Sequence, residues 1–201
     1  MKIYTARHGQ TDWNVAGKMQ GQTDIPLNET GRSQAELLAT KFMDIELDKI
    51  YTSKLSRAHE TAQIINKHHN VELVADVALN EVSFGVFEGQ SVHDPAVAAE
   101  LDTFRKKKQP YPGSEPLDVF FKRISSSLER IVSGDDRNIL IVGHYGTIRA
   151  VIVYLLKLTP EERYRYAISN TAVHCFERDD ATGNFNMTIE NDSSHLGYEE
   201  D

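Results

Sequence analysis

NILIVGH (138–144) is a continuously apolar run that ends in glycine and histidine. A strand of that kind is covered on both faces, which places it in the middle of a parallel sheet between two helical layers. Before it, KIYTA (2–6), KIYTS (49–53) and VELVADVAL (71–79) read as further strands. Helical patterns separate them: 31–43 with Ala35, Leu38, Ala39 and Phe42 on one face, and a helix from about Ser56 with Ala58, Ala62 and Ile65. Asn28 is a plausible cap for the first. Strands alternating with helices predict an α/β fold, an open and mostly parallel sheet with helices on both faces.

Later elements extend the pattern. Leu117, Phe120, Phe121, Ile124, Leu128 and Ile131 share one helical stripe, and Ile148, Val151, Ile152 and Leu155 form another behind NILIV. Thr159, Pro160 and Glu162 have the chemistry of a capped helix start. AVHCFERD and NFNMTIEN flank DATG as a C-terminal hairpin, with an acidic tail expected over about 192–201. Between Phe84 and Pro116 periodicity weakens and QPYPGSEP marks an exposed connection, so about 84–116 is read as a cap on a single domain spanning 1–201.

Composition narrows the partners. A formal net charge of −8 argues against nucleic acid, whose binders present a basic face. Lys106, Lys107 and Lys108 form the only basic run, and beside Pro110 they read as a solvated loop. No apolar run approaches a membrane span and the opening MKIYTARHG lacks a secretory pattern, so a soluble, cytoplasmic protein is expected. The single cysteine, Cys175, lies in a strand pattern and is read as a buried structural thiol. No pair among the 8 histidines has the spacing of a zinc motif, so no metal is expected.

In open α/β sheets ligands bind beyond the carboxyl ends of the strands. Two loops there begin with histidine beside glycine: Arg7-His8-Gly9 after the first strand and His144-Tyr145-Gly146 after NILIV. Arg57 opens the helix after KIYTS. Three strand ends therefore bring two arginines and two histidines to one rim. Arginine forks grip two phosphoryl oxygens at once, and a helix N-terminus after His144 adds N–H groups that favour an anion. A neutral His8 among cations is a nucleophile for phosphorus, its other nitrogen donating to a carbonyl near Gly9, whose flexibility suits that turn. Glu81, followed by the shielding residues Val82, Phe84 and Val86, and its near neighbour Glu88 are the candidate acids for the leaving alkoxide and then bases for water.

These stretches carry a resemblance. RHGQTDWN with MQGQTDIPLNETGRSQA, YTSKLSRAHETA, LNEVSFGVFEG and VGHYGTIRA are together similar to the histidine phosphatase superfamily, from the first strand to the final hairpin. The resemblance implies a phosphoglycerate mutase-like three-layer α/β/α sandwich and a phosphomonoester hydrolase without a cofactor. It implies that His8 is transiently phosphorylated and that Glu81 handles the proton. Arg7, Arg57 and His144 would hold the phosphoryl oxygens, with Asn14 and Gln20 adding hydrogen bonds. Gln10, where many relatives carry glutamate, and Tyr145, where glycine is frequent, depart from the commoner pattern; Tyr145 is expected to narrow the pocket.

Two other functions fit the same residues. A cofactor-dependent phosphoglycerate mutase must enclose its intermediate, and family mutases carry a longer insertion before the second histidine than the Glu81 to His144 interval here. A non-catalytic phosphate-binding module would keep the pocket without turnover. Substrate choice is assigned to the 84–116 segment, including Phe84, Phe87, Phe104, Tyr111 and the lysine run, with Trp13 at the mouth. Small phosphorylated metabolites are the expected partners, and the oligomeric state is left open.

Overall fold

The computed structural model describes residues 1–107 and 109–197. One six-stranded sheet runs through it in the order β3-β2-β4-β1-β5-β6. Its strands are β1 (Lys2–Arg7), β2 (Lys49–Thr52), β3 (Glu72–Ala75), β4 (Asn138–Gly143), β5 (Val173–Arg178) and β6 (Phe185–Asp192). β3, β2, β4 and β1 pair in parallel, while β5 lies antiparallel on β1 and forms the closing hairpin with β6. This is the mostly parallel sheet with a C-terminal hairpin that the strand patterns predict.

Alternation along the two central strands builds the layers. Ile3 of β1 and Ile139 and Ile141 of β4 face one way, into a core shared with α5 (Leu117–Val132) and α6 (Tyr145–Leu155). Tyr4, Ala6, Leu140 and Val142 face the other way, against α2 (Glu29–Phe42) and α3 (Ser56–Asn66), the one-turn α1 (Asp12–Val15) lying in the connection from β1 to α2. Side chains alternate across a strand, so a strand apolar at every position needs a helical layer on each face. Asn28 caps α2, its side chain accepting from the Gly31 N–H at 2.8 Å. Cys175 is buried in the second core, and burial raises its thiol pKa above the ordinary value.

The structure departs from the pattern at several points. The third strand stops at Ala75 because the Asp76 carboxylate accepts from the Ala78 N–H and turns 77–79 into one 3-10 turn. Within 84–116 a helix, α4 (Pro95–Lys107), forms and buries Val97 and Leu101 against Phe87. Thr159 does make its reciprocal cap with Glu162, but a 3-10 helix (Pro160–Arg165) follows. The expected acidic tail begins inside the fold: Asp192 ends β6 and pairs with Lys41 at 2.7 Å, and Ser194–Leu196 form a 3-10 turn. The remainder, 198–201, lies outside the described residues, as does Lys108. Among the described residues no helix is long and apolar enough to cross a membrane.

Candidate active site

β1 and β4 are parallel neighbours in a register that pairs Arg7 with Gly143. The next residue on each strand is therefore a histidine at the same height. The His8 N–H donates to the Gly143 carbonyl at 3.0 Å, and the two imidazole rings lie 5.2 Å apart. Around them Arg7, His8, Asn14, Lys18, Gln20, Gly21, Arg57, Glu81, Phe84 and Tyr145 line a cavity of about 140 Å³. With His144 beside His8, the structure brings together Arg7, His8, Asn14, Gln20, Arg57, Glu81, His144 and Tyr145, the site residues singled out from sequence.

His8 is 2 % exposed and its Nδ1 lies 2.7 Å from the Gly9 carbonyl oxygen. A carbonyl only accepts, so Nδ1 carries the proton and Nε2 keeps its lone pair. Burial, then the charges of Arg57 and Arg7, hold the imidazole well below its ordinary pKa and keep it neutral. Asn170 Nδ2 steadies the backbone by donating to the His8 carbonyl at 2.8 Å. Gly9 is needed for space rather than flexibility. Its φ is not positive, and a Cβ there would collide with the Gly31 backbone in the first turn of α2.

Arg57 is 1 % exposed and is spoken for on three sides. Its Nε donates to His144 Nδ1 at 3.2 Å, Nη1 to the Thr23 carbonyl at 2.9 Å and Nη2 to the Gly21 carbonyl at 2.8 Å. It thus builds the wall carrying Gln20 and Gly21 as well as lending charge. His144, accepting at Nδ1, carries its proton on Nε2, and that buried atom has no protein partner. Burial, with Arg57 the next cause, also holds His144 well below its usual pKa. Arg7 gives one N–H to the Ile168 carbonyl at 2.9 Å while its Nε is buried without a partner. Burial lowers its pKa to about 10, which leaves it charged near neutrality.

Glu81 is 6 % exposed, and its Oε2 accepts from the Gly146 N–H at 3.0 Å. The helix N-terminus expected to offer donors to a bound anion is thus engaged in part by the protein's own carboxylate. Glu88, the rival, is committed elsewhere. It accepts from the backbone N–H groups of Gln22, Thr23 and Phe84 and from the Thr23 and Ser83 hydroxyls. Burial opposes its charge, but these bonds outweigh it and hold the carboxylate below its usual range.

Asn14 Oδ1 accepts from the Thr11 N–H and hydroxyl, leaving the amide N–H2 group for a ligand. Gln20 is buried with its carboxamide oxygen unpartnered. Tyr145 is half-exposed at the rim, its ring 5.5 Å from the Arg7 guanidinium and 4.1 Å from that of Arg149. Gln10 turns away from the cavity and accepts from Asn28 Nδ2 at 3.1 Å. Of the aromatic residues assigned to substrate choice, only Phe84 lines the cavity. Phe87, Phe104 and Tyr111 pack edge to face on one another at 5.0–6.0 Å, and Lys106 pairs with Asp102. Trp13 supports Lys18, whose Nζ sits 5.6 Å from its ring. Lys18, Met19 and Gly21 line the site without having been singled out; their only sequence signal was proximity to Gln20.

Comparison with known proteins places the arrangement. The chain is 35 % identical over 163 residues to an uncharacterized phosphatase, PhoE, of Bacillus subtilis, covering 79 % of each chain. It is 31 % identical over 197 residues to a 2,3-bisphosphoglycerate-dependent phosphoglycerate mutase of Gloeobacter violaceus, covering 93 % of this chain and 90 % of the relative. Phosphoserine phosphatase from Entamoeba histolytica, solved as a histidine-to-alanine mutant in complex with phosphoserine, superposes with a TM-score of 0.81 at 28 % identity, covering 97 % of this chain and 98 % of that one. The family model of the histidine phosphatase superfamily (branch 1) matches residues 3–190, and the chain is a member of that superfamily.

Proposed function

We propose that the protein hydrolyses small phosphomonoesters through a phosphohistidine at His8. The observation that carries this reading is the fixed tautomer: Nδ1 of His8 is held by the Gly9 carbonyl, so a neutral Nε2 faces a cavity edged by arginine. A phosphomonoester carries nearly two negative charges, and its transfer depends chiefly on holding the oxygens while a nucleophile approaches in line. Arg7 Nε, His144 Nε2 and the N–H2 groups of the Asn14 and Gln20 amides are the donors available to hold them.

In the first step His8 Nε2 forms a bond to phosphorus as the ester P–O bond breaks. The departing alkoxide takes a proton from Glu81. In the second, Glu81 takes a proton from water, the water oxygen attacks phosphorus, and the N–P bond breaks to return neutral His8 with inorganic phosphate. Hydrolysis is favoured over mutase action by the half-exposed rim at Tyr145 and the short stretch between Glu81 and His144.

Rapid-quench incubation with a ³²P-labelled phosphomonoester tests the reading. Alkali-stable, acid-labile label on the wild-type chain, absent from His8→Ala along with turnover, is the expected result. Phosphate release without label on the protein at any time point would overturn it. Running 3-phosphoglycerate isomerisation beside a phosphomonoester panel distinguishes transfer to water from transfer between hydroxyls.

A further inference from the structure

Arg123 lies on α5, outside the cavity, yet its guanidinium is built around the turn that presents Glu81. Nη1 donates to the carbonyls of Ala78 at 2.6 Å and Asn80 at 2.7 Å, and Nη2 donates to that of Glu81 at 2.9 Å. Nε and Nη2 grip the two carboxylate oxygens of Glu115 at 2.6 and 2.8 Å. All five N–H groups of the fork are thereby placed. Glu115 closes the clamp from the other side, its backbone N–H donating to the Ser83 carbonyl at 3.2 Å. The ion pair is largely buried, with side chains 20 % and 13 % exposed.

This stretch needs such a device. β3 ends at Ala75 and the 3-10 turn at Leu79, so no sheet ladder takes up the carbonyls of Asn80 and Glu81. Gln22 Nε2 also donates to the Glu81 carbonyl at 3.1 Å and Thr147 Oγ1 to that of Asn80 at 3.3 Å, but it is the Arg123 fork that ties 78, 80 and 81 to one group, and a turn free to relax would carry the Glu81 carboxyl away from the Gly146 N–H. Lysine lacks the planar fork needed to serve three carbonyls and a carboxylate together.

We propose that Arg123, oriented by Glu115, is a positioning residue for proton transfer: it fixes the 78–81 backbone so that Glu81 meets the leaving oxygen. The proposal rests on the assignment of Glu81 as acid and base. Its signature is a dependence on the leaving group. Alcohol release from an alkyl phosphate needs a proton from the enzyme, whereas p-nitrophenolate leaves without one.

The test compares single-turnover release from glycerol 2-phosphate and p-nitrophenyl phosphate in wild type, Arg123→Met, Arg123→Lys and Glu115→Gln, with folding checked by circular dichroism. Arg123→Met is expected to lower the alkyl rate by at least about tenfold more than the aryl rate, the same direction expected of Glu81→Gln, since general acids contribute ~10²-fold or more. Arg123→Lys should restore part of the difference, and Glu115→Gln should shift the ratio the same way by less. If Arg123→Met does not fold, the ratios in the other two decide. An unchanged alkyl-to-aryl ratio, with both rates falling together or neither falling, would overturn the proposal while leaving the hydrolase reading intact. A wild type inert toward every phosphomonoester would instead overturn the hydrolase reading, and this proposal with it.

Discussion

Arg57 Nε donates to His144 Nδ1 across 3.2 Å, and that bond decides which imidazole nitrogen of His144 carries the proton. With Nδ1 occupied, Nε2 of His144 is a donor; with Nδ1 of His8 donating to Gly9, Nε2 of His8 is a lone pair. Two neighbouring histidines of similar burial thus present opposite chemistry. One suits an electrophilic phosphorus, the other its oxygens.

Arg57→Lys is expected to cost at least about 10²-fold in kcat/KM, because it removes the donor that fixes His144 together with those holding the Gly21 and Thr23 carbonyls. Stripping donors from buried carbonyls should also lower stability by ~1–3 kcal/mol. Steady-state kinetics and urea unfolding read the two effects separately. Full activity in a folded Lys variant would contradict the assignment.

Gly146→Ala should separate activity from stability. A Cβ there would lie 2.5 Å from Glu81 Oε1 and 3.5 Å from Val82 Cγ1, so the carboxyl must move. Alanine favours a helical position over glycine by up to ~1 kcal/mol, so the melting temperature should change little. The expected result is kcat for alkyl phosphates down by about tenfold or more at nearly constant melting temperature. Unchanged kcat would show that the carboxyl's seat is unimportant.

Stability should fall on acidification from near pH 6.5. His8 and His144 are held well below 6.5 in the fold by burial and neighbouring arginines. His174 and His195 are lowered by burial to about 4. Below 6.5 the unfolded chain binds protons that the folded one refuses, so stability is fully present above that value. It is lost progressively as pH drops toward the folded values, by up to ~1.4 kcal/mol per unit for each of the deeply buried His8, His144 and His174 and by less for the part-exposed His195, where solvent screens the effect. Urea midpoints at pH 7.5, 6 and 5 should decline in that order; a flat series would show that these histidines are not neutral in the fold.

Chelators should leave turnover unchanged. The groups offered to a phosphoryl oxygen are guanidinium, imidazole and amide N–H donors, and Glu81 is the one carboxylate lining the cavity among the described residues. Assay after dialysis against EDTA is the check. Activity lost there and restored by a divalent ion would contradict the mechanism.

Much of the scaffold was legible because its signals are local. The unbroken apolar run of β4, the Asn28 cap and the stripe on α5 each follow from a few adjacent side chains. The rim residues could be gathered because strand ends converge by topology. α4 was hidden: within 84–116 its apolar contacts, Val97, Leu101 and Phe104, are sparse and flanked by proline and lysine. Glu88 and Arg123 were illegible for another reason. Their roles rest largely on bonds to backbone groups, the N–H donors of Gln22 and Thr23 for one and the carbonyls of Ala78, Asn80 and Glu81 for the other, and backbone partners leave no trace in side-chain identity.

The position of β1 has a consequence for synthesis. β1 is seated between β4 and β5, strands that lie far behind it in the sequence and are made only after it. Any nascent chain still lacking those strands holds a complete RHG tripeptide without the Gly143 carbonyl and the Asn170 amide that fix its backbone, so the cavity takes shape only once both sides of β1 have been made.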